Sequence, residues 1–231
     1  MIYDILSVYY DALVRDEEAT KAWVDFVKKH CKGNKLLELA CGSGDVAQLL
    51  MKEGYHIIAS DVSEGMLEQL TEKYPSLKAL QLDMRDFSLE DKVEGVLCFC
   101  DSINYLNDLN EVEGMFKCVY EVLESKGTFL FDMHTPDRLE EFEDGWGEEG
   151  YLFDTPYIWE INSEDNEIYH HFVFYSEEGM LQEYHVQQVF DSEDIETMLD
   201  KIGFDVEVYT DFIKEGKVPG EKYFYVCRKR N

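Results

Sequence analysis

The stretch Leu36 to Asp45, LLELACGSGD, constrains this chain more than any other. Two leucines followed by Glu38-Leu39-Ala40 read as a short buried strand. Cys41-Gly42-Ser43-Gly44 reads as a turn too tight for a Cβ at every position. Asp45 then opens an apolar-periodic helix through Val46, Leu49 and Leu50. Strand, glycine turn and helix make the phosphate- or nucleoside-cradling start of a Rossmann-like βαβ unit. Glycine lets backbone approach a ligand closely, and a helix start offers unpaired N–H groups. A glycine pair alone does not choose the ligand, so its neighbours must.

Strand and helix signals alternate on either side. Upstream, Tyr3, Leu6, Tyr9, Tyr10 and Leu13 have helix-like spacing. A clearer helix runs from Asp16 to His30 with Ala19, Trp23, Phe26 and Val27 on one stripe. Downstream, Tyr55–Ser60 is a second strand ending at Asp61, and Ser63 caps a helix carrying Met66, Leu67 and Leu70. Leu77–Leu82 is a third strand and Val93–Cys100 a fourth. After a helix over Leu109–Leu123 and a turn at Ser125-Lys126-Gly127, Thr128–Asp132 is a fifth. The pattern changes after His134. Glu140–Gly150 is acidic and glycine-rich, the mark of a loop or irregular helix. Tyr157–Ile161, Ile168–Tyr175 and Met180–Phe190 alternate like three antiparallel strands, separated by Glu164-Asp165-Asn166 and Glu177-Glu178-Gly179. A helix over 191–202 follows, then two closing strands, Phe204–Thr210 and Lys222–Arg228, read as a hairpin bending near Val218-Pro219-Gly220. The expected fold is α/β: a Rossmann-like, seven-stranded, mostly parallel, doubly wound sheet with an inserted antiparallel β-meander cap. It divides into an N-terminal helical segment (1–34), a core (35–136 and 191–231) and the cap (137–190).

Charge narrows the partners. Among 231 residues, 21 basic and 50 acidic side chains give a formal net charge of −29. Nucleic-acid affinity draws heavily on Lys and Arg, and the only basic run is Arg228-Lys229-Arg230, so neither nucleic acid nor an anionic membrane is an expected partner. The longest apolar run, Val96–Cys100, is too short to span a bilayer. The acidic start and six cysteines without a C-x-x-C pair or disulfide spacing point to a cytoplasmic protein with reduced thiols. Nothing in the chain sets an oligomeric state.

Three acidic positions stand beside the glycine turn. Glu38 lies near the end of the first strand and suits a cationic ligand. Asp61 ends the second, where a carboxylate accepts two hydrogen bonds from ribose hydroxyls. Asp83-Met84 follow the third, a carboxylate for an adenine amino group and a methionine for its ring. Gly42-x-Gly44-x-x-Ala47 with Asp61 also satisfies the NAD fingerprint literally, which makes a nicotinamide oxidoreductase the alternative. Against it, Asp45 at the helix start would repel a pyrophosphate.

The segments LLELACGSGD, IIASDVSEGML, LQLDMRDF and VLCFCDSINYL resemble the successive ligand-binding segments of class I S-adenosylmethionine-dependent methyltransferases, most closely the small bacterial group with a β-meander cap. The resemblance is strong over Lys35–Phe131 and looser at the ends. It implies S-adenosylmethionine as cofactor. The methionine part would lie at Ala40, Gly42 and Gly44, with Glu38 beside them. The ribose would lie at Asp61, with Val62 and Met66 of the same segment, and the adenine at Asp83 and Met84. Ala40 replaces the first family glycine. Cys100 matches the position facing the methionyl sulfur, and the aromatics Tyr10 and Trp23 are candidates to close over the cofactor. The implied activity is direct in-line methyl transfer to a small-molecule acceptor, an amine or an aromatic. A protein that binds the cofactor without turnover is the other alternative.

Catalytic candidates are His134 at the mouth of the fifth strand and Asn104 and Tyr105 after the fourth. Neither the cytosine-C5 nucleophile signature nor the N/D-P-P-Y motif is present, and His170, His171 and His185 lack acidic partners at metal-ligand spacing, so no metal is expected. The meander is rich in aromatics (Tyr157, Trp159, Tyr169, Phe172, Phe174, Tyr175, Tyr184, with Trp146 before it). With Glu160 and Glu183, those facing away from its core are expected to build the acceptor pocket.

Overall fold

Five parallel strands form the centre of the molecule because each carries apolar residues on both faces. They are β1 (Lys35–Glu38), β2 (His56–Asp61), β3 (Lys78–Gln81), β4 (Val93–Cys98) and β5 (Leu123–His134). The computed structural model describes residues 6–176 and 179–231. Tyr3, Glu177 and Glu178, named above, lie outside that range. The main sheet has eight strands in the order β11-β10-β12-β5-β4-β1-β2-β3. β10 (Phe204–Thr210) and β12 (Lys222–Lys229) run antiparallel to their neighbours. The eighth strand, β11 (Lys214–Glu215), replaces the expected simple hairpin: it pairs back on Tyr209 and Thr210 at the sheet edge. β5 begins five residues earlier than the sequence suggests. Leu123 pairs with Val93, the register shifts, and pairing resumes at Thr128 opposite Gly95.

Helices cover both faces. α1 (Leu6–Val14), α2 (Glu17–His30), α3 (Asp45–Lys52) and α4 (Glu64–Lys73) precede β3, and α5 (Leu109–Val122), α6 (Asp137–Phe142) and α7 (Ser192–Ile202) follow β4. Their starts are capped by side chains: Ser63 for α4, as expected, and Asp16 for α2, Asp108 for α5 and Asp191 for α7. One core layer joins Phe116, Phe129, Phe131 and Tyr225 under α5 and α7, and another joins Phe26, Val27, Leu36, Leu50 and Leu97 under α2 and α3.

The second sheet has four strands, not three: β6 (Trp146–Leu152), β7 (Thr155–Glu164), β8 (Glu167–Ser176) and β9 (Gly179–Gln188), each antiparallel to the next. The acidic stretch 140–150 is therefore partly helix α6 and partly an edge strand. Edge strands tolerate glycine and charge because one side meets water, and WGEEGYL carried no period-2 signal to reveal one.

Candidate functional site

The main sheet reverses direction of growth between β1 and β4, since β2 and β3 extend one way and β5 the other. Ligands of open α/β sheets bind at such a switch point, beyond the carboxyl ends of the strands. A cavity of about 400 Å³ opens there, bounded by the ends of β1, β2, β4 and β5, by α1 and α2, and by the cap strands β7 to β9. A second hollow of about 550 Å³, among Lys92, Tyr120, Lys229 and Arg230, lies at the far ends of the strands and has none of the glycine-turn residues.

The glycine turn forms one wall. Ala40 has φ 50° and Gly42 φ 53°, so the chain turns left-handed as it leaves β1. A Cβ on Gly42 would point towards the cavity, where the nearest atom is Tyr10 Cε1 at 3.8 Å. Gly44, at φ 85°, differs: its Cβ would strike Leu70 Cδ1 at 2.8 Å, inside the core. Gly44 thus caps α3 and does not line the cavity, contrary to the sequence expectation. Asp61 holds the turn from beside it. Its Oδ2 accepts from the Gly42 amide and its Oδ1 from the Ser63 amide, both at 2.9 Å. Burial pushes the Asp61 carboxyl up against the pull of those amides.

Glu38 is buried under the turn. Burial raises its carboxyl to about 8, opposed by the Ala47 amide and helped by Asp61 and Asp45. Its Oε2 is buried with no hydrogen-bond partner among the described residues, a deficit that a ligand's ammonium would satisfy. Val62, Met66, Met84, Cys100, Tyr10 and Trp23 also line the cavity. Asp83 does not. Arg85 grips both its oxygens and holds its carboxyl below the usual range, so an adenine amino group would have to displace a guanidinium. Asp45 is likewise committed, to Lys73 at 3.0 Å and Arg15 at 3.4 Å, so its charge is compensated and repels a phosphate less than the sequence suggested.

Helix α1 crosses above this wall. Ser43 Oγ donates to Asp11 Oδ1 at 2.5 Å, and Lys73 also pairs with Asp11. The Tyr10 phenol is pushed well above its ordinary value by burial and then by Cys100, Tyr105, Asp101 and Asp61. Tyr10 lines the cavity beside the glycine turn, its Cε1 3.8 Å from where a Gly42 Cβ would stand.

The end of the cavity opposite the glycine turn is polar in ways the sequence did not reveal. Asp132 is buried at the end of β5 and accepts from Trp23 Nε1 (2.6 Å), the Cys100 amide (3.2 Å) and the Asp101 amide (2.5 Å). These bonds hold Cys100 and Asp101 left-handed, at φ 57° and 51°. Asp101 pairs with Lys222 and accepts from Gln187 Nε2 at 2.5 Å. Burial opposes its ionisation, but Lys222 and His134 hold its carboxyl well below the usual range. Gln187 Oε1 accepts from Nε2 of His134 and of His170, each at 3.0 Å. Burial lowers both imidazoles, His170 to about 4. Lys222, Asp132 and Gln187 sit in ordinary strand patterns, so no local signal marked them.

The three catalytic candidates separate. Asn104 is fully buried: its Nδ2 donates to the Gln188 carbonyl at 2.6 Å and its Oδ1 accepts from the His134 amide at 3.1 Å. It ties cap to core and does not line the cavity. His134 lines the cavity; its Nε2 is held by Gln187, and its Nδ1 is buried without a hydrogen-bond partner among the described residues. Tyr105 lines the cavity, with its hydroxyl 3.0 Å from His185 Nδ1. From the cap, Trp159, Ile161, His170, Phe172 and Gln187 reach the cavity, whereas Tyr169 and Glu160 turn away to Glu167 and His171. Among the described residues, all six cysteines are free, no cluster is able to hold a metal ion, and no helix is long and apolar enough to cross a membrane.

Comparison with known proteins decides what this architecture is. Residues 36–127 match the family described as "Methyltransferase domain". The chain is 30% identical to "Putative methyltransferase YqeM" of Bacillus subtilis (strain 168), over 99% of this chain and 98% of that protein. The chain belongs to the class I S-adenosylmethionine-dependent methyltransferases. Two solved methyltransferases share the fold. A crystal structure described as an S-adenosylmethionine-dependent methyltransferase from Clostridium acetobutylicum ATCC 824 superposes with a TM-score of 0.83 at 24% identity, covering 99% of each chain. The sugar N-methyltransferase KedS8 from Streptoalloteichus sp. ATCC 53650 does so with a TM-score of 0.81 at 19% identity, covering 100% of this chain and 95% of that one. S-adenosylmethionine is the cofactor, and the nicotinamide alternative is set aside. Two features of this methyltransferase fit the cofactor: the orphaned oxygen of Glu38 and the space that a Gly42 Cβ would fill.

Proposed function

We propose that this methyltransferase methylates the nitrogen of a small amine. The observation that carries the reading is the make-up of the cavity beyond Tyr10. There Tyr105, Trp159 and Phe172 present aromatic surface, with Asp101 beside them held in its ion pair with Lys222. Aromatic faces suit a cationic or amine-bearing ligand. KedS8, described as a sugar N-methyltransferase, has the same fold and supports an amine in the same sense.

On this reading Glu38, Ala40 and Gly42 hold the methionine part, Asp61 with Val62 and Met66 the ribose, and Met84 the adenine. When bound, S-adenosylmethionine supplies a methyl already activated on a sulfonium. The chain's own work is then to position, and holding two reactants in line is worth ~7–11 kcal/mol. Tyr10 and Cys100 separate the cofactor's place from the acceptor's. Trp23 fixes the loop after β4 through Asp132, and the cap excludes water from above. The residues 137–190 act as the acceptor-binding unit.

The test is release of S-adenosylhomocysteine on a panel of small primary amines, amino sugars and their nucleotide forms, each beside its hydroxyl counterpart. Turnover confined to amines is the expected result. Turnover on hydroxyl or phenol acceptors alone overturns the reading.

A further inference from the structure

Three side chains outside the cofactor wall form a line that the proposed methyl transfer does not yet use. Glu183 and His185 both point inward from β9 and are buried, at 8% and 2% exposure. Glu183 Oε1 lies 2.7 Å from His185 Nε2, and His185 Nδ1 lies 3.0 Å from the Tyr105 hydroxyl. The far oxygen, Oε2, accepts from the Leu6 amide at 2.8 Å, at the start of α1. Tyr105 reaches the cavity from the 3-10 turn Ser102–Tyr105, and the His185 ring sits edge-on to both Tyr105 and Phe172.

We propose that Glu183 and His185 make the Tyr105 oxygen the base that receives the acceptor's proton. The inference rests on the amine reading above: an amine that arrives protonated must give up a proton before its nitrogen can attack. A carboxylate can only accept, so Glu183 requires the proton of a neutral imidazole to sit on Nε2. Nδ1 is then an acceptor, and the Tyr105 hydroxyl must give its hydrogen to it. Towards an incoming ammonium the same oxygen offers lone pairs. A nucleophile or base oriented by an imidazole, itself oriented by a buried acid, is a general device. Here the base is a phenol.

The step balances. An ammonium acceptor passes one N–H proton to the Tyr105 oxygen as the phenol passes its own to His185 Nδ1. The resulting imidazolium is neutralised by Glu183. The freed nitrogen lone pair forms the new N–C bond while the S–C bonding pair returns to sulfur. The methylated product leaves as an ammonium, and the buried His185 returns its proton through the Tyr105 oxygen to water entering the vacated cavity. Tyr105 is the catalytic residue, while His185 and Glu183 are positioning residues. Other titratable groups face the same cavity: Tyr10 from α1, Asp101 and Lys222 as an ion pair, His134 from β5, and His170 opposite His185 in the cap register.

The first test needs no acceptor. In protein loaded with S-adenosylhomocysteine, long-range proton–nitrogen NMR, assigned with His185→Gln, should show Nε2 protonated and Nδ1 as a hydrogen-bonded acceptor. Tyr105→Phe should move the Nδ1 signal to that of a bare nitrogen. Glu183→Gln, whose amide donates, should transfer the proton to Nδ1. A resting Nδ1–H tautomer, or an Nδ1 signal blind to Tyr105→Phe, overturns the relay. The second test uses the amine that the acceptor panel identifies. Tyr105→Phe should lower kcat by ~10²–10⁴-fold below that amine's own pKa, with cofactor affinity within about twofold. The deficit should shrink once the amine arrives neutral. Full kcat in folded Tyr105→Phe, or a deficit that ignores the amine's protonation, also overturns it. A panel without any reactive amine refutes the acceptor reading alone, since the NMR result stands apart from it.

Discussion

Trp23 donates its indole N–H to Asp132 across 109 positions of sequence, at 2.6 Å, and so fastens α2 to the end of β5. The same carboxylate carries the amides of Cys100 and Asp101. Trp23→Phe keeps an aromatic side chain, smaller by the pyrrole ring, and removes the donor. It should destabilise the protein by ~1.5–3 kcal/mol, the range for a hydrogen bond to a charged group. Urea unfolding would measure this, and a midpoint equal to that of the parent would mean the bond contributes nothing.

The two glycines of the turn should fail differently. Both have positive φ, so any side chain costs roughly 1–2 kcal/mol of backbone strain. Gly44→Val adds a collision with Leu70 and should lower the melting temperature more than Gly42→Val does. Gly42→Val should fold and lose S-adenosylmethionine affinity, because its side chain enters the cavity. Calorimetric titration beside a thermal melt separates the outcomes, and a Gly42→Val protein that binds normally would move the ligand elsewhere.

Glu38 makes cofactor binding a proton-linked event. Its folded-state carboxyl, at about 8, lies above its ordinary 4.5. The stability it contributes is therefore complete below 4.5 and is lost as pH rises through 8. Glu38→Gln should match the parent near pH 4 and be the more stable protein, without ligand, above pH 8. A cofactor ammonium beside Oε2 favours the ionised carboxylate, so binding near pH 6–7 should release up to about one proton. Calorimetry in buffers of different ionisation enthalpy counts that proton, and Glu38→Gln should abolish it. Buffer-independent enthalpies would show that no ammonium meets Glu38.

Within the cap, Trp159 and Tyr169 should part company. Trp159 lines the cavity, stacks on Phe172 at 5.2 Å and donates to His170 Nδ1 at 3.3 Å. Trp159→Ala should reduce turnover by ~10-fold or more, as loss of aromatic contact area at a binding site does, with cofactor affinity unchanged. Tyr169→Ala should leave turnover intact, since its hydroxyl serves Glu167 away from the cavity. Equal effects of the two on turnover of a confirmed acceptor would sink this placement.

Asp61 has two duties that substitution can separate. Besides its expected place at the ribose, it fixes the amides of Gly42 and Ser63. Asp61→Ala should therefore lower both affinity and thermal stability. Asp61→Asn retains an acceptor oxygen, so it should keep more of the stability while still weakening the cofactor by ~1.5–3 kcal/mol. Unchanged affinity in folded Asp61→Asn would remove the ribose from this carboxylate.

The parallel core was legible because local chemistry writes it directly: apolar runs buried on both faces, caps such as Asp16 and Ser63, and a turn that only glycines allow. Glu38, Gly42, Asp61, Met84 and Cys100 could be placed at the cavity for the same reason, since each lies at or just beyond the end of a strand. What escaped the sequence depends on contacts far along the chain. Asn104 looked like an acceptor-side residue until Gln188, 84 positions away, took its amide. Asp83 looked available because Arg85 is an ordinary neighbour until its guanidinium folds back. Lys222, Asp132 and Gln187 meet only when β12, β5 and β9 are assembled, and no short window contains them together.

Helix α1 bridges the cap sheet to the glycine turn and α4 of the core. Leu6 and Tyr9 engage the cap, through Glu183 and by stacking on Phe174 at 4.4 Å, while Asp11 engages Ser43 and Lys73 on the core. Separate contacts thus hold α1 at both ends of the cavity. Such a linkage carries a coupling free energy, and thermodynamics makes it reciprocal. Whatever an acceptor does to cofactor affinity by settling the cap, the cofactor does in equal measure to the acceptor.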